Sequence, residues 1–227
     1  SRLLTERDKE NVAYHELGHA IVGHELPDAD PVHKVSILPR GMALGYTIQL
    51  PDEDKFMHRK GELLDEITVL LGGRVAEEIV FGEVATGAQN DLERASDLAR
   101  RMVMEYGMSD VLGPLSLGKR HGNPFLGRDI MEERNYGEEV ATAIDKEVRR
   151  IIDDCYARAR DILTARRPLM DSIKDVLLER EIIEREEFET LMAGGTLPPK
   201  PLPAATPEPE EGEKDRKTDA VRTPTLR

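Results

Sequence analysis

The pattern of apolar and polar residues predicts a mainly α-helical chain with a little β-structure near its beginning. Residues 5–26 form an amphipathic pattern, in which Thr5 and Asp8 have the spacing of a capping box and Pro27 marks the end. Apolar or weakly polar residues recur along one face of this helix, at Val12, His15, His19, Val22 and Leu26. The face expected to be buried therefore carries two histidines.

Two short segments, 32–38 and 42–50, show the period-two alternation of β-strands. A Pro-Arg-Gly turn signal at 39–41 lies between them. This arrangement predicts a β-hairpin or small sheet that leaves at least one edge open.

From about residue 52 the pattern is helical almost to the end of the chain. We expect helices at 63–80, after Gly87, at about 136–165, at 169–180 and near 186–193, with a loop at 107–127. Within the first of these helices, Gly72-Gly73 would let another helix approach closely.

The last part of the chain has a different composition. Residues 196–227 hold seven of the chain's 14 prolines and no aromatic residue, so they are too polar to bury a core. We therefore expect a single domain at 1–195, followed by a disordered, Pro-rich, charged tail at 196–227.

Charge and cysteine content narrow the class of protein. The net charge is −13, and because the tail has six basic and six acidic residues, the excess lies on residues 1–195. An acidic body repels phosphate backbones and argues against nucleic-acid binding. The single cysteine, Cys155, excludes an internal disulfide, fits a reducing compartment and is expected to be buried and inert.

The chain has no apolar run of the roughly 20 residues that a membrane span needs, so we expect this stretch to be soluble. It begins with Ser1 rather than methionine, and we expect it to be part of a longer protein.

The candidate chemistry lies in the segment His15-Glu16-Leu17-Gly18-His19. Histidines four positions apart on a helix stand one turn apart, and both rings can bind one zinc ion. Glu16 can then take a proton from water and return it to a leaving amine, as peptide hydrolysis requires. The alternative is a helix with polar residues and no metal, but two buried imidazoles would then need other hydrogen-bond partners.

A third metal ligand must come from elsewhere in the chain. The extended pattern HExxHxxGxxH is absent, since Val22 and Glu25 occupy its glycine and histidine positions, which excludes the metzincin type. Carboxylates downstream are the remaining candidates: Glu77, Glu78 and Asp91. Asp91 shares a helical face with apolar residues and is favoured over the two glutamates, with a capping residue at the start of the helix as the alternative.

Several blocks of sequence together resemble the peptidase module of the FtsH family of membrane-anchored, ATP-dependent zinc proteases. They are HELGHA, DPVHKVSILPRG (30–41), LGGRVAEEIVFGEVATGAQNDLERA (71–95) and EYGMSDVLGPLSL (105–117). The resemblance runs from about residue 3 to 193 and implies a helical zinc-peptidase fold. It also implies one Zn²⁺ per chain held by His15, His19 and Asp91, with Glu16 as the catalytic base.

The same resemblance implies partners outside this sequence. An ATPase domain and transmembrane segments would precede Ser1, and ATP would be used only by that ATPase domain, because this chain has no G-x-x-x-x-G-K-[ST] motif. The whole protein would be a homo-hexamer at the cytoplasmic face of a bacterial cell membrane. Its substrates would be unfolded polypeptides and membrane proteins.

The second predicted strand offers a binding mode for such substrates. An extended peptide can add to an open sheet edge through backbone hydrogen bonds, here at Leu44, Gly45, Tyr46, Thr47 and Ile48. An edge strand that pairs only within the fold is an equally good interpretation of this segment. For the whole chain, the rival hypothesis is a non-catalytic ring-assembly module with a vestigial metal site.

Overall fold

The described residues, 4–121 and 131–200 of the computed structural model, are mainly α-helical, as the sequence predicts. The helices are α1 (Glu6–Glu25), α2 (Lys60–Phe81), α3 (Gln89–Met104), α4 (Glu138–Ala165), α5 (Arg167–Arg180) and α6 (Arg185–Met192), with a 3₁₀ turn at Thr86–Ala88. The strands are β1 (Val32–Ser36), β2 (Tyr46–Gln49), β3 (Lys119–His121), β4 (Met131–Glu133) and β5 (Ile182–Glu184). The helical fold class with a small sheet is thus confirmed.

Helix α1 begins as the sequence predicts. The Thr5 hydroxyl accepts a hydrogen bond from the backbone N–H of Asp8, and the Asp8 carboxylate accepts one from the backbone N–H of Thr5. The prediction of a single buried face is wrong in the middle of the helix, where residues 13–23 are all buried. The reason is that α2, α5 and the sheet pack around α1 and cover it on several sides.

Two glycines set the closest approach of α1 and α2. A side chain on Gly18 would overlap the carbonyl oxygen of Gly72, and a Cβ on Gly72 would lie 2.7 Å from the carbonyl oxygen of Gly18. The backbones therefore touch at this crossing, as expected for the Gly72-Gly73 pair. This contact fixes where α1 presents its histidines relative to α2.

The main sheet is antiparallel, with strand order β2-β1-β5. Ser36 of β1 lies opposite Tyr46 of β2 on one side and Ile182 of β5 on the other. The third strand was not predicted, and in the part of the chain that the structure describes it leaves β2 as an open edge beside α1. Residues 42–45 are not part of β2 as predicted, because Arg40 and Ala43 bridge to each other and close a turn at Gly41, whose φ is +62°.

The predictions for the rest of the chain are confirmed in part. The helices after residue 52 are confirmed with small shifts of their ends. The predicted loop 107–127 contains strand β3, and its last part, 122–127, lies outside the described residues. Cys155 is buried, as expected, and burial raises the pKa of its thiol. The predicted disordered tail lies outside the described residues from residue 201 onward, so the proposed boundary at 195/196 stays a prediction.

Two hydrophobic clusters form the interior. The first joins α1, β1, β5, α5 and α6 with part of α2 and the end of α4, and the second joins α2, α3 and α4 as far as Cys155. Helix α2 contributes to both and lies between α1 and α3. Among the described residues, no helix is long and apolar enough to cross a membrane.

Candidate metal centre

Two helices bring three possible metal ligands together. His15 and His19 stand one turn apart on α1, and Asp91 lies in the first turn of α3. The Nε2 atoms of the histidines are 3.0 Å apart, and Asp91 Oδ2 is 3.1 Å from that of His15 and 3.2 Å from that of His19. These three atoms therefore form a nearly equilateral triangle, with both histidines buried and Asp91 partly so.

The other ring nitrogen of each histidine faces a group that holds the ring in place. His19 Nδ1 lies 2.7 Å from the backbone carbonyl oxygen of Val69 and can donate to it. The lone pair on Nε2 is then free to bind a metal ion. His15 Nδ1 lies 3.6 Å from Oε1 of Glu77, a carboxylate on α2 whose side chain is 2% exposed. Both rings thus turn Nε2 toward Asp91.

Gly73 leaves room where the three ligand atoms meet. A Cβ at this position of α2 would lie 2.6 Å from His15 Cε1, 2.6 Å from His19 Nε2 and 2.7 Å from His15 Nε2. Any side chain here would therefore enter the space beside both imidazoles. The glycine pair of α2 has two separate roles, because Gly72 meets the backbone of α1 while Gly73 faces the histidines.

In the absence of metal, the surroundings of the cluster favour a positively charged His15 and a negatively charged Asp91. Burial disfavours a charged His15, but the hydrogen bond to Asp91 and the nearby Glu77 carboxylate outweigh it and raise its pKa to about 10. Burial also disfavours the Asp91 carboxylate, yet His15 and His19 hold its pKa well below the usual range. A divalent cation would take over the role of the positive partner here.

The donor set fits zinc. Two imidazole nitrogens and one carboxylate oxygen are typical ligands of a catalytic zinc site, in which the fourth position is left for water or substrate. Neighbouring corners of a tetrahedron about 2.0 Å from its centre are about 3.3 Å apart, close to the three separations observed here. The Val69 carbonyl supplies the outer hydrogen bond that such a histidine needs, and the Glu77 carboxylate lies 3.6 Å from the corresponding nitrogen of His15.

Glu16 lies beside the cluster in a cleft of about 1560 Å³. Its side chain is largely buried, and one carboxylate oxygen, Oε2, accepts a hydrogen bond from the Thr47 hydroxyl at 2.8 Å. The cleft is also lined by His15, His19 and Asp91. A peptide in this cleft would meet the carboxylate and the three possible ligands together.

Most of the residues singled out from the sequence meet in this cleft. Tyr46 and Thr47 of β2 line it together with Leu44 and Gly45, which come just before the strand, whereas Ile48 is not among the lining residues. Among the candidate third ligands, Asp91 faces both Nε2 atoms, and Glu77 lies behind His15. Glu78 is not among the residues that line the cleft.

Three features of the site were not predicted from the sequence: the carbonyl of Val69, the place of Glu77 behind His15 and the space left by Gly73. A backbone carbonyl leaves no mark in a sequence, so Val69 could not have been found. The two adjacent glycines of α2 could have indicated the space at Gly73, because a close helix crossing needs only one glycine and leaves the other to be explained.

Comparison with known proteins agrees with this geometry. The model of the family described as Peptidase family M41 matches residues 2–191. A protein of Pseudothermotoga lettingae named ATP-dependent zinc metalloprotease FtsH is 56% identical over 85% of this chain and 31% of its own length. Proteins of the same name from Bacillus subtilis and Thermotoga maritima are 52% and 50% identical, over 87% and 85% of this chain and 31% and 32% of theirs.

This chain spans about a third of the length of these curated relatives. The family model nevertheless covers most of the chain, including both histidines, Glu16 and Asp91. The chain therefore belongs to peptidase family M41.

Proposed function

We propose that this chain, a zinc metalloendopeptidase module, cleaves peptide bonds in the cleft between α1, β2 and α3. The observation that carries the proposal is the convergence of His15, His19 and Asp91 on one point beside the Glu16 carboxylate. These three residues would hold Zn²⁺, one ion per chain. When bound, zinc supplies a Lewis acid that polarises the substrate carbonyl and makes water more acidic.

Glu16 acts as the proton carrier of the reaction. Its carboxylate takes a proton from the attacking water and returns it to the amine that leaves when the C–N bond breaks. Two observations support this role: Glu16 follows a proposed ligand directly in α1, and its side chain lines the cleft.

The open edge of β2 gives the substrate a place to bind. An extended polypeptide that pairs with this edge binds through backbone groups, so the site would accept many sequences. The backbone from Leu44 to Ile48, which runs into β2, would provide the pairing, and support comes from the strand order, in which β2 has no partner other than β1 among the described residues. Four of these five residues also line the cleft.

For the whole protein, we propose a membrane-anchored, ATP-dependent protease. The relatives are named ATP-dependent zinc metalloproteases and are about three times as long as the part that this chain matches. An ATPase domain of the same protein would use the ATP and deliver unfolded or membrane proteins to the peptidase site. We further propose a homo-hexamer at the cytoplasmic face of the membrane.

The test is the substitution Glu16→Gln, which keeps the shape of the side chain and removes its basicity. We expect zinc content to stay at one equivalent and cleavage of a short fluorogenic peptide to fall at least about a hundredfold. Glu10→Gln is the matched control, because it removes one charge from the same helix away from the cleft.

The competing hypothesis, a ring-assembly module without activity, makes the opposite prediction. Under that hypothesis the zinc-loaded wild-type chain and the Glu16→Gln variant would show the same background rate of peptide cleavage, and a chelator would not lower it. Equal cleavage by the wild-type chain and by Glu16→Gln would show that Glu16 is not the proton carrier, whether or not the chelator abolishes that cleavage.

A further inference from the structure

Thr47 connects the edge strand to the proposed base. Its hydroxyl oxygen lies 2.8 Å from Oε2 of Glu16 and 3.0 Å from the backbone carbonyl oxygen of the same residue. Among the described residues, it provides the one side-chain hydrogen bond to this carboxylate. The side chain of a β2 residue thus contacts the group that is proposed to move the proton.

The carboxylate is the better of the two acceptors. A hydroxyl has one proton to donate, and the carbonyl of Glu16 lies within α1, where it already accepts the helical hydrogen bond from four residues on. The carboxylate oxygen lies closer and accepts no other side-chain hydrogen bond among the described residues, so the Thr47 proton goes to Oε2.

Alternate residues of β2 and of the segment just before it extend this contact along the helix. Gly45 lies against Glu16, since a Cβ there would be 3.2 Å from Glu16 Cγ and 2.6 Å from Val12 Cγ1. Two positions further on Thr47 meets the Glu16 carboxylate, and the next, Gln49, packs on Gly23 of α1. The Glu16 side chain is therefore held between Gly45 and Thr47, which fixes its conformation.

We propose that Thr47 is a positioning residue for the Glu16 carboxylate. The proposal rests on the proposed peptidase function and deepens it. The hydroxyl holds Oε2 in place, so Oε1 is the oxygen left to take the proton from water and later give it to the leaving amine. Because Thr47 also lies on the edge where the substrate would pair, one strand sets both the position of the peptide and that of the base.

The test compares Thr47→Val and Thr47→Ser in the zinc-loaded chain with a short fluorogenic peptide. Valine keeps the branched shape and the backbone but loses the hydroxyl, so kcat should fall about tenfold or more while KM stays within about twofold. Zinc content should remain at one equivalent. Serine keeps the hydroxyl and should restore kcat to within about threefold of wild type.

Thr142→Val is the matched control. It removes a threonine hydroxyl that donates to a backbone carbonyl, that of Glu138 in α4, away from the cleft. A loss of kcat equal to that of Thr47→Val would show that the effect does not come from the contact with Glu16 and would overturn the proposal. A rise in KM together with a fall in kcat, without rescue by serine, would overturn it as well.

A second measurement does not depend on turnover. Crystal structures of the two Thr47 variants should show the Glu16 carboxylate displaced with valine and in place with serine. A carboxylate that keeps its position with valine contradicts the positioning role. In contrast, a wild-type chain that holds zinc but cleaves no peptide contradicts the proposed function and leaves the crystallographic test of Thr47 intact.

Discussion

Two carboxylates approach His15 from opposite edges of its ring, and their surroundings give them different roles. Asp91 lies on the Nε2 side, within 3.2 Å of both histidines, where the proposed zinc ion would bind. Glu77 lies on the Nδ1 side, 3.6 Å away and almost fully buried. A ligand and a residue that only orients a ligand respond differently to substitution.

Asp91→Ala should therefore lose both zinc and activity, whereas Glu77→Gln should keep one equivalent of zinc and bind it about 10- to 100-fold more weakly. Competition with a chromophoric chelator measures both affinities. Asp97→Ala, an exposed change on the same helix, is the control. A full zinc equivalent in Asp91→Ala would reassign the third ligand, with Glu77 the first candidate.

The binding of zinc should depend on pH through His15. Its pKa of about 10 in the absence of metal, set by Asp91 and Glu77 against the effect of burial, means that the ring is protonated at pH 7–8. Zinc must displace this proton, so affinity should fall about tenfold for each pH unit on lowering the pH. Asp91 stays ionised over this range and adds no pH dependence of its own.

The ring resonances of His15 in NMR spectra of the metal-free chain give the direct measurement. They should remain those of an imidazolium from pH 6 to about 9 and change on addition of zinc. Titration near pH 6.5, the ordinary pKa of histidine, would show that Asp91 and Glu77 do not raise the pKa of His15.

At the scale of elements, the sequence predicts the helices well because their signals are local. The capping box of Thr5 and Asp8 and the repeated apolar positions of α2 need no knowledge of the rest of the chain. Strand β5 could not be found in this way, since its three residues are held by pairing with β1, far away in the sequence. The burial of residues 13–23 of α1 on all sides likewise follows from the neighbouring elements and not from the pattern of α1 itself.

The crossing of α1 and α2 leads to a prediction for Gly18. Alanine at this position would overlap the backbone of Gly72, so the helices would have to separate, at a cost on the order of 1–3 kcal/mol in the free energy of unfolding. The same separation would move the histidines away from Asp91. We therefore expect Gly18→Ala to lower both stability and zinc affinity, measured by urea unfolding and chelator competition.

Gly137 provides the control for this substitution. It caps the start of α4 with a φ of −82°, and a Cβ there would meet no atom within 4 Å. Gly137→Ala should change stability by less than about 1 kcal/mol and leave zinc affinity as it is. Equal effects of the two substitutions would contradict the importance of the close helix contact.

At the scale of the whole molecule, the candidate site depends on contacts that a sequence pattern does not contain. His15 and Glu16 could be identified from their spacing, because α1 alone brings them together with His19. The choice among Asp91, Glu77 and Glu78 stayed open on periodicity alone, since it depends on how α3 packs beside α1. Resemblance to a family favoured Asp91, and the 3.1 Å and 3.2 Å separations from the histidines support that choice.

The position of the site between the two hydrophobic clusters predicts a global effect of the metal. The proposed ligands come from α1 in the first cluster and α3 in the second, so zinc would link two parts of the interior that share α2. At a free zinc concentration a hundredfold above Kd, binding stabilises the native state by about 2.7 kcal/mol. In a chain of this size, this corresponds to an increase in Tm of about 5–10 °C. Calorimetry with zinc and with a chelator measures the difference, which should vanish in Asp91→Ala, because this variant cannot link α1 to α3. An equal zinc-dependent rise in the variant would mean that the two histidines bind the metal without α3, and the link between the clusters would have to be abandoned.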